Sequence, residues 1–488
     1  MKQMALSIVC GICALMIASC GAQDGTVIET GQTTETSAET EAVTEPLLYP
    51  EYTLDLGGEE LHYIYFDAVA ACGWSSGIPS DIDVAEQTGD TLADAIYLRN
   101  RKVEELYNCS ITATAYELWD IQAMVNKSVM AGAGDYDAVF PQWQVMGTLI
   151  TQDSLLQLDE LIDASLPWWD EKALEGFSVL GKTYAMSGDI LFVDKFSDII
   201  IMFNKQMADN YDLGDIYGLV VEKKWTFDTL KEMSRTVSAD LDSNGKYDQK
   251  DRYGFSGQND GLYELFNSSG EKFCDIDDDG VPYLSCESER AIDIFTRVYE
   301  FMNDTQNYFN RQTANISVAD TAAMFKQDQV LFLMRPLSTL FDLRSMEADF
   351  GIIPTPLMDE TQTEYYTSIG YTVAPAVCIP KDVGNAEAVA AVLDTLSAES
   401  YYNVNPMLYD LILGAKVTRD DQSTENLDII FSSHVYDPGE IFGFGKLAND
   451  MMGKWKNMET KVVSTIEKKK KAVEISIEKL LEAINEQG

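Results

Sequence analysis

One stretch of the chain carries oxygen donors at the spacing a hard cation requires. Asp240, Asp242, Asn244, Gly245, Asp248 and Asp251 fall at positions 1, 3, 5, 6, 9 and 12 of an EF-hand-type loop, with the carbonyl of Lys246 at position 7. Oxygens at alternate residues wrap the ion, glycine at the sixth place permits the sharp turn, and Asp in place of Glu at the twelfth shortens the reach. The chemistry offered is a structural Ca2+ site, and a solvated acidic turn is the competing reading. Asp275, Asp277, Asp279 and Gly280 begin the same pattern, but Cys286 stands at its twelfth place, so a hairpin turn at Asp279-Gly280 is expected instead.

Catalytic strings are present without their context. Gly73-Trp74-Ser75-Ser76-Gly77 copies a nucleophile elbow, with His434 downstream as a base, but that elbow needs a helix directly after the serine and Pro79 follows instead. Asp349-Phe350-Gly351 copies a kinase tripeptide and lacks the glycine-rich loop, catalytic-loop Asp and strand Lys that would give it meaning. His62, the one other histidine, lies in a strand-like run and reads as a packed or edge residue. No catalytic residue and no cofactor for catalysis is expected.

The elements that must position any site alternate between strand and helix. Leu61 to Phe66 reads as a strand, and Gly73 to Pro79 reads as a loop. A helix then starts at a capping-box-like Thr91 and Asp94 and carries Leu92, Ile96, Val103 and Leu106 near helical spacing. Ser110 to Tyr116, a second helix, and Tyr136 to Phe140 complete a strand-helix-strand-helix-strand order, the pattern of an α/β layer with parallel strands. Strand-like runs recur at Lys182 to Met186, Ile199 to Phe203, Val330 to Met334, Phe350 to Pro354 and Tyr371 to Ile379. Helices are expected over Thr226 to Ser238, Ser285 to Met302 and Asn385 to Leu396, while Lys468 to Lys471 read as a solvated face of a terminal helix.

Length and charge narrow the classes further. A chain of 488 residues exceeds one small core and suggests two or more lobes. Its 80 acidic against 35 basic residues give a net charge of -45, which repels phosphate backbones and excludes nucleic acid as a partner. Cys10, Cys13 and Cys20 fall in the N-terminal segment; Cys72, Cys109, Cys274, Cys286 and Cys378 are scattered, with no CxxC pair, and at most Cys274 and Cys286 could bond.

The N-terminus specifies an address. Lys2 precedes an apolar run from Met4 to Ile17, too short to span a bilayer, and the run ends in Ile17-Ala18-Ser19-Cys20-Gly21. These residues resemble a bacterial lipobox, so residues 1-20 are expected as a lipoprotein signal peptide, with lipid attached at Cys20 on the extracellular face of the cell membrane. Residues 21-52, rich in Thr, Glu, Ala, Ser and Gly, cannot bury enough surface to fold and read as a disordered tether.

Several strings in order carry a family likeness over nearly the whole remaining chain. Ile96 to Asn108, "GKTYAMSGD" from Gly181 to Asp189, "IIIMFNKQM" from Ile199 to Met207 and "KKWTFDTLKEM" from Lys224 to Met233 resemble the family 1 extracellular solute-binding proteins. So do "DLDSNGKYDQKDRYGF" and "FGIIPTPLMDETQTEYYT". The resemblance implies an α/β, two-lobed, periplasmic-binding-protein-like fold of type II, with the ligand in a cleft between lobes joined by crossing strands. Residues 53-187 and 366-400 would form lobe I, and residues 188-365 and 401-488 lobe II. The implied partners are a carbohydrate or other small solute and the membrane permease of an ABC importer, with the protein a monomer tied to the membrane through its lipid. Some members of the family carry a similar calcium loop.

Sugar binding needs aromatic faces for the pyranose ring and Arg, amide and carboxylate groups for its hydroxyls, at loop ends after strands. Trp74, Trp143, Asp189, Arg335 and Tyr371 are the expected ligand contacts, with core packing or a lobe surface as the alternative for each aromatic and a turn for Asp189. Trp168, Trp169 and Trp225 precede helix starts and read as packing staples. The rival functions are a lipid-anchored glycoside hydrolase, for which no carboxylate pair is apparent, and a surface glycan-binding protein not coupled to transport.

Overall fold

The structure is a computed structural model that describes residues 48–50, 52–72, 78–343, 346, 349–370, 373–413, 420–453 and 462–486. The signal segment, Cys20, nearly all of the tether, Trp74 with the elbow string, and Tyr371 lie outside the described residues.

Runs of β-branched and aromatic residues make the first sheet. Its strands are β1 (Glu59–Phe66), β2 (Cys109–Tyr116) and β3 (Ala138–Phe140), in the order β2-β1-β3 and parallel throughout. Parallel strands require crossovers, and the helices Thr91–Tyr107 and Leu118–Ala131 supply them. The two faces of β1 enter different apolar clusters, Leu61 and Tyr63 on one side and Ile64 and Phe66 on the other, as expected for a strand covered on both sides.

The first crossover helix starts one residue earlier than its sequence suggests. Asp90, not Thr91, is the N-cap: its carboxylate accepts from the amide of Ala93 at 2.9 Å, while Asp94 reaches back to the amides of Thr88 and Gly89. Thr91 already lies inside the helix, so its hydroxyl is not placed to cap. Leu92, Ile96 and Val103 are buried as expected, but Leu106 is exposed and Tyr107, four residues after Val103, takes the core position.

Beyond Met186 the chain enters a second sheet of β4 (Ile199–Asn204), β5 (Tyr253–Gly257), β8 (Tyr308–Asn310), β9 (Val330–Pro336) and β10 (Phe350–Ile353), in the order β10-β4-β9-β5-β8. Strands β9, β5 and β8 run parallel, and β4 opposes both its neighbours. All six residues of β4 are buried. Helices Phe227–Val237, Glu289–Asn303 and Ala386–Glu399 begin at side-chain caps from Thr226, Ser288 and Asn385. A hairpin of β6 (Cys274–Ile276) and β7 (Pro282–Leu284) turns at Gly280, which has φ +78° and donates its amide to the carbonyl of Asp277 at 2.9 Å. Cys274 and Cys286 are both buried and both free, so the disulfide the sequence allowed is not formed.

The passes between the two sheets lie side by side. Met186 bridges Val377, and Asp198 bridges Ile369, both antiparallel. The runs expected as strands at Lys182 to Met186 and Tyr371 to Ile379 appear as single bridges, including Val139 to Cys378 and Gln142 to Pro375, because Pro375 has no amide to continue a ladder. A short parallel pair, β11 (Thr367–Ser368) and β12 (His434–Val435), joins the returning segment to the C-terminal region. The terminal helix Val462–Glu486 buries Ile466, Val473, Ile477, Leu480 and Ile484; within the lysine run expected to be solvated, Lys469 pairs with Asp450 and Lys470 with Glu287. Among the described residues no helix is long and apolar enough to cross a membrane.

Candidate functional site

Because β5, β8 and β9 are parallel and adjacent, their carboxyl ends place three polar side chains at one edge of the second sheet. Gln258 follows β5, Arg311 follows β8, and Arg335 is the second-to-last residue of β9. The opposed strand β4 brings Ile199 to the same edge, opposite Pro336. These residues line a cavity of about 360 Å3, together with Asp260 and Glu264 from the next helix and Ser197 and Gly370 from the crossing segments. A crevice outside the carboxyl ends of strands is where open α/β sheets bind ligands.

The cavity is an organised polar network. The amide of Gln258 donates to Asp260 Oδ2 at 2.9 Å, and its Oε1 accepts from Arg311 Nη2 at 2.9 Å, from Arg311 Nε at 3.2 Å and from Nη1 of Arg335. Arg335 is 8% exposed and its Nε has no hydrogen-bond partner; Glu264 is 2% exposed and its Oε2 has none. Burial pushes the Glu264 carboxyl well above its usual range, and the neighbouring Asp260 adds to that. The Arg335 guanidinium is pushed down to about 10, first by burial and then by the charge of Arg311. Buried donors and acceptors without partners are costly, and a polar ligand that fills the cavity would satisfy them.

A second cavity of about 390 Å3 is lined by Trp168, Trp169, Asp170, Asp189, Lys195 and His434 among others. Asp189 sits here, away from Arg335, with Oδ1 accepting from Lys195 Nζ at 3.1 Å and its amide donating to the Trp168 carbonyl at 2.9 Å. Both indole N–H groups of Trp168 and Trp169 donate to Asp394 Oδ1, at 2.6 and 2.7 Å, which anchors the pair to the helix Ala386–Glu399. His434 Nε2 stands 2.9 Å from Asp198 Oδ2. Burial alone would lower the imidazole pKa, but the carboxylates of Asp198 and Asp170 raise it to about 10.

Trp143 lies in neither cavity. It is buried, its indole donates to the Pro375 carbonyl at 3.1 Å, and Phe177 and Tyr436 pack on it. The returning segment runs beside β3 and closes over that ring, a long-range contact that strand-end spacing does not reveal. Trp225 is likewise buried, with its indole on the Pro354 carbonyl. Among the described residues, Trp119 stands exposed in the first turn of the helix Leu118–Ala131, three residues after β2 and 58% exposed. It lies on the second helix expected from the sequence, and a tryptophan so soon after a strand was the available signal.

In the acidic loop, carboxylate oxygens of Asp240, Asp242 and Asp251 lie within 4.8 Å of one another. Gly245 has φ +76°, the left-handed turn that glycine at the sixth place permits. Asp240 accepts from the amides of Asn244 and Gly245, Asp242 from that of Asn244, and Asn244 Oδ1 from that of Lys246. Asp248 turns instead to the amide of Lys250, and Asp251 also holds the amides of Leu241 and Asp248. The three clustered carboxylates fit a hard divalent cation by donor type and spacing.

Among curated proteins, none matches the chain. The fold is similar to that of an ABC substrate-binding protein from Listeria monocytogenes in complex with cycloalternan, at TM-score 0.53 and 14% identity, over 88% of this chain and 99% of that one. It is also similar to a sugar transporter protein from Rhizobium etli in an open conformation, at TM-score 0.56 and 13% identity, over 85% and 99%. A third likeness is the cyclic alpha-maltosyl-1,6-maltose binding protein from Arthrobacter globiformis, at TM-score 0.55 and 13% identity, over 86% and 99%. The architecture is thus the two-lobed α/β fold expected from the sequence. Residues 120–402, more than half of the chain, match the family described as bacterial extracellular solute-binding protein, and the chain belongs to that family.

Proposed function

We propose that this protein is the substrate-binding component of an ABC importer, that it captures a carbohydrate, most suitably an oligosaccharide, and that it delivers it unchanged to a membrane permease. The observation that carries this reading is the cavity at the carboxyl edge of the second sheet, where Gln258, Asp260, Arg311 and Arg335 converge beside the crossing segments. Mixed donors and acceptors in one crevice suit a polyhydroxyl ligand, and the family relation and the sugars bound by similar folds support the same class.

Around this centre the reading keeps residues 53-187 with 366-400 and residues 188-365 with 401-488 as the two lobes, Cys20 as the lipid anchor and residues 21-52 as the tether. It assigns the protein no catalysis and a monomeric state. The loop from Asp240 to Asp251 is a structural Ca2+ site remote from transport chemistry.

A thermal-shift screen against mono- and oligosaccharides, with chromatography of the recovered sugar, tests the function. A ligand at 100 times its Kd stabilises the native state by about 2.7 kcal/mol. A raised midpoint with intact sugar is expected. Cleaved sugar would replace this reading with a glycoside hydrolase, and no shift with any sugar would remove the carbohydrate from it.

A further inference from the structure

Two guanidinium groups in the cavity at the second sheet converge on one uncharged oxygen. Arg311 Nε and Nη2 and Arg335 Nη1 all donate to Gln258 Oε1. Neither arginine is ion-paired with a described carboxylate. Asp260 makes no ion pair with either arginine and accepts instead from the Gln258 amide nitrogen at 2.9 Å, although its charge still reaches both guanidiniums through space. Like charges brought together in a desolvated site repel, and an amide oxygen offsets that less well than an anion would.

A donor and a carboxyl group are left without partners in the same cavity. Arg335 Nε is unsatisfied at 8% exposure. Burial favours the protonated form of Glu264, in which its unpartnered Oε2 can serve as a donor. Burial depresses both guanidiniums, and Arg335 is lowered further by the charge of Arg311, so an anion placed between them would relieve both. Asp260 and Asp342 line the same cavity and balance the two guanidiniums in formal charge, so the site takes at most one carboxylate, placed against the arginines and away from the aspartates.

We infer that the ligand carries a carboxylate, as on a uronic acid residue of an acidic oligosaccharide, and that this group lies between Arg311 and Arg335. This inference rests on the reading of the cavity as a carbohydrate site and names the class of sugar it takes. A carboxylate offers acceptors and no donors, which matches the donors facing the cavity, and a guanidinium engages it in bidentate fashion.

The test is calorimetric titration of the full-length protein, in chelator, with trimers of galacturonate, glucuronate and mannuronate, each beside its carboxyl-reduced neutral counterpart. At least one acidic trimer is expected to bind about tenfold or more tighter than its neutral partner, the worth of one charge-assisted hydrogen bond. R311Q, at a half-buried position, and R335K, which keeps the charge but not the fork, should each bring the ratio of acidic to neutral affinity to within about threefold, whatever the change in neutral binding itself. Neutral trimers bound as tightly as the acidic ones would overturn the inference and leave the carbohydrate reading standing. Binding of none of the six would overturn the inference, and the carbohydrate reading would then stand or fall on the wider thermal-shift screen.

Discussion

Nε2 of His434 lies 2.9 Å from Oδ2 of Asp198, and Asp198, fully buried, stands where the chain enters the second sheet. The same Asp198 bridges Ile369 on the returning pass and accepts the amide of Leu337 through its carbonyl. The imidazole therefore joins the C-terminal region to both passes between the sheets.

Removing that imidazole leaves Asp198 buried without its cation. H434Q is expected to lose about 3 kcal/mol, as when one partner of a buried pair is deleted. The pH dependence has a fixed sign. Because the folded pKa of His434 is raised to about 10 from 6.5, its contribution is fully present below pH 6.5 and is lost as pH rises through about 10. Thermal melts of both proteins from pH 6 to 10 should show a gap that closes with rising pH; a gap that widens would contradict the pairing.

Acids with raised pKa values act in the same direction at lower pH. Burial is the largest cause for both Asp81, pushed up to about 7, and Asp194, pushed up to about 6. Each favours the folded state below its unfolded value and loses that contribution as pH rises through the folded one, so the melting point in chelator should fall between pH 5 and pH 8. D81N is expected to flatten the slope, and a melting point that rises across that window would refute the assignment.

Gly188 has no room for a side chain. A Cβ there would stand 2.5 Å from the Trp169 ring and 2.7 Å from the Trp168 carbonyl. G188A should destabilise the protein by about 1–3 kcal/mol in chemical denaturation, the cost of overpacking a closed core. An unchanged midpoint would mean the tryptophan pair is free to move.

Calcium binding at the acidic loop is read by adding the ion to chelator-treated protein. The melting point should rise with Ca2+, and D242N, which removes an exposed carboxylate, should weaken the response without lowering the ion-free midpoint. Equal response in D242N would place the ion elsewhere.

Local pattern was enough for much of the fold. The apolar runs of β1, β4, β9 and β10 were visible because each strand is short, β-rich and bounded by turn residues, and Thr226 and Asn385 marked their helix starts, whereas the helix expected from Ser285 begins at a cap three residues later, Ser288. The site was less legible. Arg335 stood out at the end of its strand, but Gln258 and Arg311 are 53 residues apart and meet through the strand order β9-β5-β8, which no spacing encodes. Trp143 looked like a cleft residue because it follows a strand; the segment at Pro375 that buries it returns from 232 residues away.

Binding of the solute at the carboxyl edge of the second sheet is tested by titrating the best sugar from the thermal screen into wild type, Q258A and R335K by calorimetry. Single-site binding in wild type, weakened about tenfold or more in both variants with unchanged circular dichroism, is the result expected. Folded variants that bind as tightly as wild type would place the ligand outside this cavity and contradict the account.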